Sequence, residues 1–197
     1  MNRTLEFFGA QFARQIDARD YALNPFEQRV LPLLQGDVLD LGCGLGCLAL
    51  AAAAQGARVE AIDGSANAIA DLQARSVRAG LSVSTAQADL RTWMPGRRYD
   101  CVVSIGLLMF FPCPTAELLL ARIQQSVLPG GLCAVNVLIE GTTFQDMFEP
   151  GQFCLMAPGH LVRGFAGWQV LGQWQDDFPA THGTIKRFET VLARRPR

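Results

Sequence analysis

The stretch Asp40-Leu41-Gly42-Cys43-Gly44-Leu45-Gly46 joins a short apolar run, 38–41, to an alanine-rich helical pattern over 45–55 that Gly56 ends. A strand that passes through closely spaced glycines into a helix start can hold a nucleotide. Glycine lets the backbone approach a ligand, and the first helical amides face it. The same arrangement commits the chain to βα units, and the residues beyond it alternate accordingly. Strand patterns occupy 58–62, 82–87, 99–105 and 132–139, and helical patterns 66–79, stopping at Gly80, and 115–127, ending at Pro129-Gly130-Gly131. Ahead of the loop, Leu5, Phe8, Phe12 and Ile16 recur at helical spacing within 4–20. A second helix spans 25–34 with Asn24 as its cap and Pro25 at its first position.

Past residue 139 the pattern changes. Residues 140–157 are irregular, a short helix lies near 159–165, and strands at 168–174 and 184–193 are joined by a hairpin-length loop. One strand of such a pair must run antiparallel. The expectation is therefore an α/β, Rossmann-like, mostly parallel sheet with one antiparallel strand and helices on both faces. At 197 residues it forms one domain, 1–197, with 1–34 as an N-terminal helical lid and 140–167 as a substrate-side insertion.

A formal charge of −1 gives no reason to expect nucleic acid or an anionic membrane as partner. Arg194, Arg195 and Arg197 read as a solvated tail. No apolar run is long enough to span a bilayer and no secretory signal opens the chain, so cytoplasmic residence is expected. The six cysteines (Cys43, Cys47, Cys101, Cys113, Cys133 and Cys154) form no C-x-x-C pair and read as reduced, buried apolar residues. The spacing of Cys43 and Cys47, without His or acid nearby, is poor for zinc, and no metal is expected.

Spacing also discriminates between nucleotides. The dinucleotide fingerprint is G-x-G-x-x-G, whereas Gly42, Gly44 and Gly46 make G-x-G-x-G and Cys47 stands where a third glycine would fall. Asp40, two residues before the first glycine, can accept from a positively charged ligand group. S-adenosylmethionine (SAM) carries two such groups, an α-amino and a sulfonium, and has no pyrophosphate. Asp63, ending the second strand with Gly64 after it, is placed for ribose hydroxyls, and Asp89, after the third, for an adenine amino group. Three acids at successive strand ends lie on the edge where open α/β sheets bind ligands.

These motifs, with Tyr99-Asp100 and Leu128-Pro129-Gly130-Gly131, resemble the successive motifs of class I SAM-dependent methyltransferases. The resemblance implies a seven-stranded sheet whose last strand is inserted antiparallel. It further implies that Asp40, Gly42, Cys43, Gly44 and Gly46 bracket the methionine moiety, Asp63 and Gly64 the ribose, and Ala88, Asp89 and Leu90 the adenine. Ser104, Ile105 and Gly106 would pass beneath the methyl group, and S-adenosylhomocysteine would be the product.

A narrower resemblance runs through Leu108-Met109-Phe110-Phe111, Pro158-Gly159-His160-Leu161 with Gly167-Trp168, and Arg187-Phe188-Glu189-Thr190-Val191-Leu192-Ala193-Arg194. Together these are similar to the tellurite-resistance methyltransferases, which implies a small methyl acceptor such as a chalcogen oxyanion. Where that family carries a basic pair and a further Arg on the hairpin, this chain reads Phe178-Pro179-Ala180-Thr181-His182-Gly183-Thr184. An oxyanion needs cationic donors, and His160, Arg163, His182, Lys186 and Arg187 are available. Phe110 and Phe144, with Met109, are expected to wall the acceptor from water. No general base stands out, and no cysteine is expected to be catalytic. Two other readings stay open, a thiol, thiopurine or carboxylate methyltransferase and a non-catalytic SAM-binding module. A nicotinamide reductase would need a Tyr-x-x-x-Lys motif that is missing here.

Overall fold

Strand β1 (Asp37–Leu41) pairs in parallel with β2 (Arg58–Asp63) on one side and β4 (Tyr99–Ile105) on the other. Strand β3 (Val83–Gln87) extends the sheet beyond β2, and β5 (Val127–Leu138) follows β4, both again parallel. The C-terminal hairpin closes the other side. Strand β7 (Ile185–Arg194) lies antiparallel between β5 and β6 (Gln169–Pro179), giving the order β3-β2-β1-β4-β5-β7-β6. The sheet is thus seven-stranded with one antiparallel strand, as the alternation and the late hairpin lead one to expect. The computed structural model describes residues 3–197, so residues 1 and 2 and the side chain of Leu5 lie outside the described residues.

Helices cover both faces. Helix α3 (Cys47–Ala54) and α2 (Pro25–Val30) pack Leu48, Ala49, Ala52 and Val30 against Val38, Val103 and Leu192. On the other face α5 (Cys113–Gln125) and the short α6 (His160–Arg163) bury Leu119, Leu120, Ile123 and Leu161 against Val102, Val135 and Val191. Helix α4 (Ala66–Ala79) is capped by the Ser65 hydroxyl and stopped by Gly80 in the left-handed region, φ 63°. Helix α1 (Arg3–Ala18) lies near α4, where Tyr21 stacks on the Arg75 guanidinium at 4.0 Å and donates to Asp71. Among the described residues no helix is long and apolar enough to cross a membrane.

Three local expectations are corrected. Pro129-Gly130-Gly131 does not end a helix; it lies inside β5, where the pairing slips from Tyr99↔Val127 to Cys101↔Leu132. The slip arises because proline has no amide to donate and Gly130 takes φ 78°. Arg194 and Arg195 are no loose tail, since Arg194 donates to the Gly130 carbonyl and Arg195 to those of Gln124, Gln125 and Val127. Nor are all six cysteines free thiols in apolar packing. Cys113 and Cys154 form a disulfide, with Cα atoms 4.8 Å apart, and Cys43 and Cys47 are only half-buried. The bonded pair is 41 residues apart, a proximity that only the folded chain creates.

Candidate active site

The loop after β1 is held by its neighbours before any ligand is considered. The Gly42 and Cys43 amides both donate to the Ile62 carbonyl, at 2.8 and 3.2 Å, which fixes the loop against β2. Gly46 caps α3 in the left-handed region (φ 64°), where a Cβ would also collide with Leu72. Gly44 (φ 52°) lies under the ring of Phe12 from α1, so that an added Cβ would stand 3.2 Å from it. Only glycine fits between that ring and the loop.

Carboxylates gather at this loop. Asp40 is buried and, among the described residues, its carboxylate has neither a hydrogen-bond donor nor a basic partner. Burial, then the charges of Glu27 and Asp63, push its pKa up to about 8. Asp63 accepts the Gly44 amide at 2.9 Å and the Ser65 amide at 2.8 Å, yet burial outweighs these bonds and raises its pKa. Glu27 accepts the Asn24 amide at 2.8 Å in the capping box that starts α2, and burial raises it as well. The sequence pattern identifies Asn24 as a cap but does not single out Glu27, whose capping spacing gives no sign that α2 points it toward Asp40.

This donor set fits a cationic ligand. Three carboxylates in a low-dielectric corner, each pushed toward its neutral form, are stabilised as anions by the α-amino and sulfonium charges of SAM. The stretch expected at the adenine, residues 88–90, is more open. Ala88 donates its amide to the Asp63 carbonyl and Leu90 is buried, but Asp89 is exposed and paired with Arg91 at 2.7 Å. At the end of β4, Ser104 is fully buried with an unpartnered hydroxyl, Ile105 faces the α3 side, and Gly106 donates to the Asn136 carbonyl at 2.9 Å.

Beyond Gly106 the chain makes a 3-10 turn, Leu108–Phe110, that joins a packed aromatic cluster. Phe110 meets Phe8 of α1 edge-on at 4.9 Å and Phe148 at 5.4 Å. Phe144 meets Phe7 at 6.4 Å, and Met109, Met147 and Leu138 pack beneath. The disulfide lies beside this cluster, because Cys113 follows the turn and the Cys154 amide donates to the Met109 carbonyl.

The basic candidates separate. His160 pairs with Glu117 on α5, and Arg163 is exposed on α6, which packs with α5. His182 is exposed at the hairpin tip (φ 56°). Arg187 forms a two-bond pair with Asp177 at 2.8 and 2.7 Å. Lys186 instead lies over the Phe144 ring, with Nζ 4.5 Å from its centroid.

Comparison with known proteins agrees with this geometry. Residues 38–131 match the family described as "Methyltransferase domain". TehB of Haemophilus influenzae, named a probable S-adenosyl-L-methionine-dependent methyltransferase, is 28% identical over 166 residues, 80% of this chain and 57% of its own. The chain spans little more than half the length of the curated relatives it matches. The crystal structure of TehB superposes over 92% of this chain and 65% of that one, with TM-score 0.78 and 21% identity. The N-methyltransferase NodS of Bradyrhizobium japonicum, in complex with S-adenosyl-L-homocysteine, superposes over the whole of both chains with TM-score 0.73 and 16% identity. Residues 38–131 therefore match a methyltransferase domain, and the chain is similar to TehB in sequence and in fold.

Proposed function

We propose that this chain transfers the methyl group of S-adenosylmethionine to a small acceptor, a chalcogen oxyanion such as tellurite or a related small nucleophile. One observation carries the reading: Asp40, Glu27 and Asp63 converge on the glycine loop, and none is paired with a basic side chain among the described residues. In this reading Asp40 and Glu27 offset the charge of the methionine moiety, and the backbone of Gly42, Cys43, Gly44 and Gly46 lies along it. Asp63 and Gly64 take the ribose, Ala88, Asp89 and Leu90 flank the adenine, and Ser104 to Gly106 form the floor under the methyl. The cofactor supplies a methyl group on a sulfonium, already electrophilic.

What remains for the protein is alignment and the exclusion of water. Phe7, Phe8 and Phe12 bring α1 over the loop and the aromatic cluster, and the described part of the 1–34 segment serves as a lid. Residues 140–167 supply Phe144, Phe148 and Phe153 as the acceptor-side insertion into the single domain. A soft or anionic acceptor needs no general base here, because its lone pair is free to attack. The resemblance of the 108–111, 158–168 and 187–194 motifs to the tellurite-resistance methyltransferases supports an oxyanion acceptor.

The test is incubation with methyl-labelled SAM and a panel of tellurite, selenite, thiols and small carboxylic acids. Labelled product and S-adenosylhomocysteine are expected with at least one acceptor. Tight SAM binding with no turnover of any acceptor would leave a binding module in place of an enzyme.

A further inference from the structure

Lysine occurs once in this chain, at position 186, against sixteen arginines. Its side chain is half-buried, and among the described residues no carboxylate lies within ion-pair distance of it. The neighbouring arginines are otherwise engaged: Arg187 holds Asp177 and Arg29 holds Asp176. A half-buried ammonium without a counter-ion is costly unless something anionic joins it. Its contact with Phe144 offsets that cost only in part.

Strand alternation explains why adjacent residues differ so sharply. Along β7, Phe188 packs on Phe26 of α2, and Thr190 accepts from Asn136 at 2.8 Å. Lys186 shares their face, the one under α1 and α2. Arg187 points the other way, beside Gly141 and toward Asp177. A continuous run of rings then links the ammonium to the cofactor loop: Phe144 to Phe7 at 6.4 Å, Phe7 to Phe8 at 5.3 Å, Phe8 to Phe12 at 5.8 Å, and Phe12 against Gly44. Lys186, with no carboxylate in ion-pair distance among the described residues, thus sits at the opposite end of this run of rings from the glycine loop.

We propose that Lys186 is the anion-binding residue of the acceptor site, receiving an oxyanion group (selenite-like, sulfonate or carboxylate) of the molecule to be methylated. The inference rests on the methyl-transfer reading for what becomes of that molecule, but not for the anion site itself. Burial pushes the ammonium pKa down, and no nearby acid offsets the shift, consistent with a place kept for a ligand anion. Beside the ammonium stands the Phe144 ring, so the lysine selects for charge while the ring offers an apolar face.

The lone lysine permits a direct measurement. Reductive methylation with 13C-formaldehyde labels Lys186 and the N-terminal amine, and keeps both charges. The labelled full-length chain is saturated with S-adenosylhomocysteine and titrated with selenite, with 2-mercaptoethanesulfonate, and with neutral 2-mercaptoethanol. The Lys186 resonance is expected to shift saturably with the two anions and not with the alcohol, while the N-terminal resonance reports general salt effects. In parallel, Lys186→Met should raise the KM for a charged acceptor at least tenfold with SAM affinity within twofold of wild type, and Lys186→Arg should restore most of the loss. A resonance unmoved by either anion, or Lys186→Met with unchanged acceptor KM, overturns the proposal. If the resonance moves but no acceptor is methylated, the anion site stands and the methyl-transfer reading falls. If methylation proceeds with an unmoved resonance, the reverse holds.

Discussion

The Asp63 carboxylate accepts the Gly44 amide at 2.9 Å, so the acid that ends β2 holds the tip of the glycine loop after β1. Its other oxygen takes the Ser65 amide at the start of α4. One side chain therefore sets both the loop and the helix beside it, and its oxygens keep lone pairs for further donors. Hydrogen bonds to a charged group contribute about 1.5–3 kcal/mol each. Asp63→Ala should weaken S-adenosylhomocysteine binding by well over tenfold in titration calorimetry and shrink its thermal shift. Asp63→Asn, with one acceptor oxygen left, should fall between.

Asp40 makes cofactor binding pH-dependent. Its pKa in the free protein is about 8, above the ordinary carboxylate range, so near neutrality the folded state holds a proton that the unfolded state has lost. The folded state then binds more protons, and stability declines as pH rises from about 4 toward 8. A cation bound beside Asp40 favours its ionised form, so SAM binding should release a proton at pH 7 and tighten as pH rises toward 8. Calorimetry in two buffers of different ionisation enthalpy reads that proton directly. Asp40→Asn should abolish the release.

Reduction of the Cys113–Cys154 bond should act on the acceptor side more than on the cofactor side. The bond ties the start of α5 to the segment carrying Phe144, Phe148 and Phe153, away from the glycine loop. A native disulfide typically contributes about 2–4 kcal/mol. Chemical denaturation with and without reductant should show a loss of that order, and Cys113→Ser should reproduce it. Under reducing conditions the acceptor KM should rise while SAM affinity changes little.

Phe12 covers Gly44 from α1 while remaining half-exposed itself. Phe12→Ala should therefore leave the melting temperature of the free protein nearly unchanged and speed S-adenosylhomocysteine release several-fold in stopped-flow measurements. Equal release rates would show that α1 does not close over the cofactor.

The elements most legible from sequence are those whose signals are local. Strand 99–105 and helix 66–79 fall where their patterns put them, because an apolar β-branched run and a terminal glycine lie within or beside the segment itself. The Asn24 cap and Pro25 fix the start of α2 in the same way, although its last turn tightens into a 3-10 turn at Leu31–Leu33. The glycine loop with Asp40 and Asp63 is legible for a related reason, since strand ends bring both acids to one sheet edge. Long-range pairings are not. Nothing in the spacing of Cys113 and Cys154 marks them as partners, and Pro129-Gly130-Gly131 resembles a helix stop until the neighbouring strand absorbs it as a bulge. Arg187 and Lys186 are equivalent as neighbouring cations in a sequence. Only the face of β7 on which each falls, and the presence of Asp177 opposite one of them, tells them apart.

The Cys113–Cys154 bond has a topological consequence. It closes a covalent ring that contains α5 and β5 but neither strand of the terminal hairpin. Strands β4 and β7 both pair with β5 from outside this ring, so the bond restrains β5 and the chain up to Cys154 without tying either neighbour covalently. Reduction should therefore speed amide exchange within residues 113–154 more than in β1 or β4.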